Sequence, residues 1–124
     1  GDAQNDVLSL WSRVVRDAFK RCPDAAFLLH AGDLVDIGDD DREWGEWFEA
    51  AGWINRVLPS VATPGNHEYP RPRNAQGEVI RPAPGQKWPA GRLTPLWSPQ
   101  FEYPENGPGG DGLKDACYFV DWQG

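Results

Sequence analysis

Ala25-Ala26-Phe27-Leu28-Leu29-His30-Ala31-Gly32-Asp33 is an unbroken apolar run that stops on a glycine and an acid. Its shortness and its terminal glycine predict a strand buried on both faces, as in a parallel sheet. A second run, Leu58-Pro59-Ser60-Val61-Ala62-Thr63, closes on Pro64-Gly65 and leads into Asn66-His67-Glu68. Between the two, Trp44, Trp47, Phe48, Ala51 and Ile54 recur at helical spacing. Upstream, Val7, Leu8, Trp11, Val14, Val15, Ala18 and Phe19 do the same from about Asp6 to Arg21. Asn5 or Asp6 can cap that first helix, Lys20 and Arg21 suit its last turn, and Pro23 stops it. Helix, strand, helix, strand is the order of an α/β fold, with right-handed crossovers and helices over the sheet.

Beyond Tyr69 the pattern dissolves. Residues from about 70 to 112 are dense in Pro and Gly and carry no helical or strand period, which predicts a functional rim or an insert. Arg71, Arg73, Arg81, Lys87 and Arg92 lie in the first part of this stretch against one acid, Glu78, a basic island in a chain of net charge -7. Ala116-Cys117-Tyr118-Phe119-Val120-Asp121-Trp122 reads as a last strand. All 124 residues are expected to form one domain.

A hydrophobic fraction of 40% and a charged fraction of 25% belong to a globular protein. No apolar run approaches the roughly 20 residues of a membrane span. The acidic balance argues against nucleic-acid binding, although bound cations would still admit a phosphate ester. No basic-then-apolar leader opens the chain, so any export signal is expected to have been removed or to lie outside it. Cys22 and Cys117 lack metal or redox spacing and form either one disulfide or two buried thiols. Seven tryptophans are numerous for this length, and helical stripes account for most of them.

Chemistry concentrates in Gly1-Asp2-Ala3-Gln4, Gly32-Asp33-Leu34-Val35-Asp36 and Gly65-Asn66-His67-Glu68. The second and third follow predicted strands, so they should meet at the carboxyl edge of the sheet. Asp33 can bridge two cations, and Asp2 and Asn66 can each give an oxygen to one of them. Such oxygen-rich donors suit Fe, Mn or Zn. Two ions about 4 Å apart would acidify a bridging water and neutralise phosphoryl oxygens. His67, beside a ligand, can protonate a leaving oxygen, and Asp36 can hold its ring.

These three blocks, roughly thirty residues apart, resemble the first three of the calcineurin-like metallophosphoesterases, with the purple-acid-phosphatase-like branch nearest. The resemblance implies a partial four-layer α/β/β/α sandwich, truncated at both ends, and a dinuclear centre that hydrolyses phosphate esters through a metal-bridging hydroxide. By the same resemblance Asp2, Asp33 and Asn66 are ligands and His67 is the proton donor. Gln4 stands where many members have histidine and is a weaker ligand or a group behind the ligands. Asp36 stands where purple enzymes have tyrosine, so no purple Fe(III) form is expected; it matches the aspartate that orients histidine in the protein-phosphatase branch. The family's later histidines do not occur here, which makes the isolated chain an expected inactive fragment. A small-molecule phosphate ester or a phosphoprotein is the expected substrate, and an extracytoplasmic setting the expected location.

Plainer readings compete at several positions. His30 ends an apolar strand and is expected to be structural. Glu68 is expected to bond backbone rather than metal. Asp39-Asp40-Asp41 lacks the pattern of an EF-hand loop and should decorate a helix start. Arg71, Arg73 and Arg81 either steer an anion or simply solvate a loop. The rival functions are a non-catalytic domain that binds metal weakly and, less favoured, a carbohydrate-binding module built on tryptophan.

Overall fold

A computed structural model of the chain describes residues 2–89, 91–108 and 113–123. A π-helical turn over Val7–Trp11 runs directly into α1, Ser12–Arg21. Strand β1 is Leu28–Ala31, α2 is Asp41–Ala51 and the single turn α3 is Ile54–Val57. Strand β2, Ser60–Thr63, leads into a 3-10 turn over Asn66–Glu68. The strands pair in parallel with Leu28 opposite Ser60 and Ala31 opposite Thr63. This is a mixed α/β arrangement around a small parallel sheet, with the helices forming the crossover. None of the described helices is long and apolar enough to cross a membrane.

The first helical segment buries a narrower stripe than its composition suggests. Val7 and Val15 are buried, and Trp11 and Phe19 pack against the core, a strict four-residue step along one face. Leu8 and Val14 fall off that line and are exposed, as is Ala18. Asp6 does not cap the helix through its side chain. Its left-handed backbone (φ 51°) presents its carbonyl instead, which accepts from the amides of Ser9 and Leu10. In α2 the expectation holds: Asp40 accepts from the Arg42 amide at 3.0 Å, and Asp41 and Glu43 occupy the first turn. Trp44 and Trp47 below them are fully buried.

Three expectations need correction. β1 is not buried on both faces: His30 points into the helical layer, whereas Leu29 on the opposite face is 73% exposed. A continuous apolar run reports hydrophobicity on both faces but not which faces are covered. Residues 116–122 form no strand. Instead the Tyr103 hydroxyl accepts from the Ala62 amide and donates to the Ser60 carbonyl, and the Tyr118 hydroxyl donates to the Ala62 carbonyl. Two stacked phenols, 4.2 Å between ring centres, thus occupy the edge of β2 where a strand was expected. Burial pushes both hydroxyls above the ordinary tyrosine range. Finally, Cys22 and Cys117 are exposed free thiols, neither bridged nor buried.

The stretch after residue 70 is mixed in character. No helix or regular strand forms among its described residues, but Trp97 and Phe101 enter the main core. Trp97 lies 6.0 Å from Trp44 and 4.6 Å from Phe101, and its indole N–H donates to the Asp115 carbonyl. Of the seven tryptophans, Trp44, Trp47 and Trp97 are buried, while Trp53, Trp88 and Trp122 are substantially exposed.

His30 is structural in this arrangement. Its ring sits between the edges of Trp11 and Trp47, at 5.8 and 5.2 Å, and its Nε2 is buried without a partner. Burial lowers its pKa to about 4, so the folded chain holds it neutral. The unfolded chain protonates it near pH 6.5, so stability intact above that value drains away as pH falls towards 4. The loss amounts to roughly 3 kcal/mol. His30→Leu should remove that portion of the acid sensitivity. Urea midpoints at pH 7 and pH 4.5 measure it, and an unchanged pH dependence in the variant would clear His30 of the role.

Candidate active site

The carboxyl ends of both strands turn on glycines that touch each other. Gly32 has φ 78°, and a Cβ there would sit 2.5 Å from the Gly65 amide nitrogen. A Cβ on Gly65 would in turn collide with Asp33, whose amide nitrogen would lie 2.5 Å away. Neither position accepts a side chain, because the two loop tips pack backbone against backbone. Asp33 itself is left-handed, φ 52°, as is Asp2, φ 53°. Short acidic side chains tolerate that region better than most.

Glu68 fastens the two tips. Its side chain is completely buried, and its carboxylate accepts four backbone N–H groups. Oε2 takes Asp33 at 2.9 Å and Gly65 at 2.6 Å, while Oε1 takes Leu34 at 2.7 Å and Val35 at 3.4 Å. The Asp33 carboxylate reciprocates by accepting from the His67 amide at 3.0 Å. The N-terminal segment joins through its backbone: Asp2 N–H reaches the Gly32 carbonyl at 3.3 Å, and Ala3 N–H the Asp33 carbonyl at 2.9 Å. All three motif segments therefore meet at one edge.

His67 is aimed by the loop after Asp33. Its Nδ1 lies 2.7 Å from the Asp36 carbonyl oxygen and 3.3 Å from the Asp36 carboxylate. The sequence suggested the carboxylate, but the carbonyl is nearer. Because a carbonyl only accepts, Nδ1 carries the proton and Nε2 is free for chemistry. Asp36 is held in its turn by Glu43, whose Oε2 accepts from the Asp36 and Ile37 amides, each at 2.8 Å. From the other side, the buried Thr94 hydroxyl meets the Gly38 carbonyl and the Asp39 carboxylate, both at 2.8 Å, and its amide donates to the Glu68 carbonyl.

Glu43 and Thr94 were missed at the sequence level. Glu43 had a signal, an acid three residues after the helix-capping Asp40, but it satisfies a loop rather than its own helix start. Thr94 had none, since it comes from the stretch without a period. Gln4 borders a cavity with Asp36, Arg42, Glu43 and Glu46 that Asn66 does not line, and its Oε1 is buried without a partner. Asn66 and His67 border a different cavity of about 670 Å³, together with Asp36, Arg71 and Arg73.

The donors left over are hard oxygens. Asp2 and Asn66 are exposed, and no described side-chain hydrogen bond uses them; Asp33 spends one lone pair on His67. Glu68, by contrast, is saturated. Two carboxylates and an amide suit a hard or borderline divalent cation. No cluster of three His, Cys, Asp or Glu side chains that could hold a metal ion exists among the described residues.

A family model described as calcineurin-like phosphoesterase matches residues 2–119. No curated protein and no solved structure matches the chain.

Removing the Glu68 carboxylate strands four amides at once. Glu68→Gln puts an N–H group among donors, and Glu68→Ala leaves them unpaired at roughly 1–3 kcal/mol for each buried one. Both variants should lower the urea midpoint sharply, and Glu68→Asp, too short to reach both tips, should not rescue it. A midpoint within experimental error of the parent in Glu68→Gln would show that the carboxylate does not hold the loops.

Proposed function

The chain belongs to the calcineurin-like phosphoesterase family, and on that premise we propose that it contributes the first part of a dinuclear site for metal-dependent hydrolysis of phosphate esters. The observation that supports this reading is the meeting of the segments 2–3, 32–33 and 65–68 through backbone bonds and the Glu68 carboxylate, beside a histidine of fixed tautomer. Asp2, Asp33 and Asn66 are the residues that would hold the cations. Gln4, facing another cavity, is the weaker candidate. Divalent ions there supply Lewis-acid stabilisation of the phosphoryl oxygens and an acidified attacking water. We place these residues in an α/β/β/α sandwich.

His67 does the proton work. As the bond from phosphorus to the leaving oxygen breaks, Nε2 gives that oxygen its proton, and the alcohol departs neutral. The ring charge before transfer faces Asp36, whose carbonyl fixes the ring and whose carboxylate lies 3.3 Å from Nδ1. Asp36 is a positioning residue, so Asp36→Asn, which keeps the carbonyl, should be milder than loss of the ring.

His67→Ala in the metal-loaded protein should lower kcat for an alkyl phosphate by about 10²–10⁴-fold with metal content retained. The loss should be much smaller for 4-nitrophenyl phosphate, whose leaving group needs little protonation. Equal losses on both substrates, or none, would take His67 out of the mechanism.

A second reading, a domain that binds metal weakly by itself, rests on the donor count. Three oxygens from Asp2, Asp33 and Asn66 are fewer than two ions require. Equilibrium dialysis of the 124-residue chain with Mn or Zn should accordingly give fewer than two ions per chain. Tight binding of two would show that these residues suffice.

A further inference from the structure

The cavity of about 670 Å³ beside His67 is of the size that small ligands fill. Its lining is mixed in charge: Asp36, Asp39, Asp40 and Asp41 border it, and so do Arg71 and Arg73, with Tyr69, Pro70 and Val79. Three of these four acids are engaged with the protein: Asp36 faces the His67 ring, Asp39 accepts from the Thr94 hydroxyl, and Asp40 caps α2. The arginines are not neutralised. Among the described residues neither guanidinium has a carboxylate within 4.0 Å. Glu78, the one acid of their stretch, is bonded to Asn74.

Both arginines are nonetheless held in place. The Arg71 guanidinium carbon lies 4.9 Å from the Trp88 ring centre, and Arg73 donates to the Gly77 carbonyl at 2.7 Å. The Gly77 bond closes a short turn in which Arg73 pairs with Val79. Stacking on an aromatic face orients a guanidinium without consuming its donors. Two positioned, unpaired cations in a chain of net charge -7 have an anion as their natural complement.

Their place relative to His67 identifies which anion. Asn66 and His67 border the same cavity, so a group seated in it is attached to the oxygen that His67 protonates. We infer that Arg71 and Arg73 form a leaving-group subsite, and that the favoured substrates are phosphate esters whose alcohol portion carries a second oxyanion, a carboxylate or a phosphoryl group. This rests on the hydrolase reading above. An anion in the cavity is repelled by the acidic residues and drawn to the arginines.

Three esters of closely similar leaving-group chemistry test it on the metal-loaded protein: benzyl phosphate, 4-carboxybenzyl phosphate and 4-(phosphonomethyl)benzyl phosphate. The two anionic esters should exceed benzyl phosphate in kcat/KM by about tenfold or more, and the better of them tells carboxylate from phosphoryl recognition. Arg73→Glu should invert the preference towards 4-(aminomethyl)benzyl phosphate, which a merely structural arginine would not do. Failure to turn over any of the esters would count against the hydrolase reading, and a binding arm then decides the subsite. In the 124-residue chain, 4-carboxybenzyl alcohol, but not benzyl alcohol, should shift the Arg71 Nε and Trp88 indole resonances, and Arg71→Gln should abolish the Trp88 shift. Equal kcat/KM for neutral and anionic esters, or resonances unmoved by the carboxylate, overturns the proposal.

Discussion

One buried carboxylate organises the functional end of this chain. Glu68 has no solvent contact and divides four amide hydrogens between its two oxygens, three from the loop after β1 and one from the loop after β2. A buried charge is costly unless its lone pairs are satisfied, and here they are. The consequence is positional. Asp33 and His67, from loops on different strands, have their backbones referred to the same two atoms, and the amide-to-carboxylate bond between them closes the arrangement.

The layer beneath is aromatic. Trp44, Trp47, Trp97 and Phe101 meet mostly at steep angles, and Trp44 reaches up to donate its indole N–H to the Gly38 carbonyl at 2.8 Å. Packing and site are therefore continuous: a ring that fills the core also pins the loop that aims His67. Thr94 and Glu43 hold the same loop from two further directions. Rigid support of this kind lets the ring keep one orientation.

Much of this was legible in the sequence. Gly32-Asp33 and Gly65-Asn66-His67-Glu68 announced themselves as polar motifs at the ends of apolar runs, and the structure adds that their glycines pack backbone against backbone. The acidic start of α2 and its buried tryptophans followed from capping and period. Glu68 was readable as a backbone acceptor, although not how many partners it would serve. What could not be read depended on contacts between distant segments. The apolar run of β1 does not reveal that Leu29 faces outward, nor does the alternation around Tyr118 reveal that hydroxyls would take the place of a strand's amides. The core role of Trp97 was hidden because a single turn and a bend leave no period.

The stretch from residue 70 to 91 leaves the site and returns to it. Tyr69 begins it, Gly91 comes back so close that a Cβ there would lie 2.8 Å from the Tyr69 Cβ, and Thr94 then binds the Glu68 carbonyl. Because its two ends are tied at one point, its contour can lengthen or shorten with little strain on the framework; doubling a flexible loop costs only about 0.6 kcal/mol in closure entropy. The arginines and Trp88 ride on this detachable excursion, whereas the oxygens and the histidine stay on the sheet. Evolution could therefore exchange this excursion by recombining a single cassette, leaving the loop tips at the sheet edge untouched.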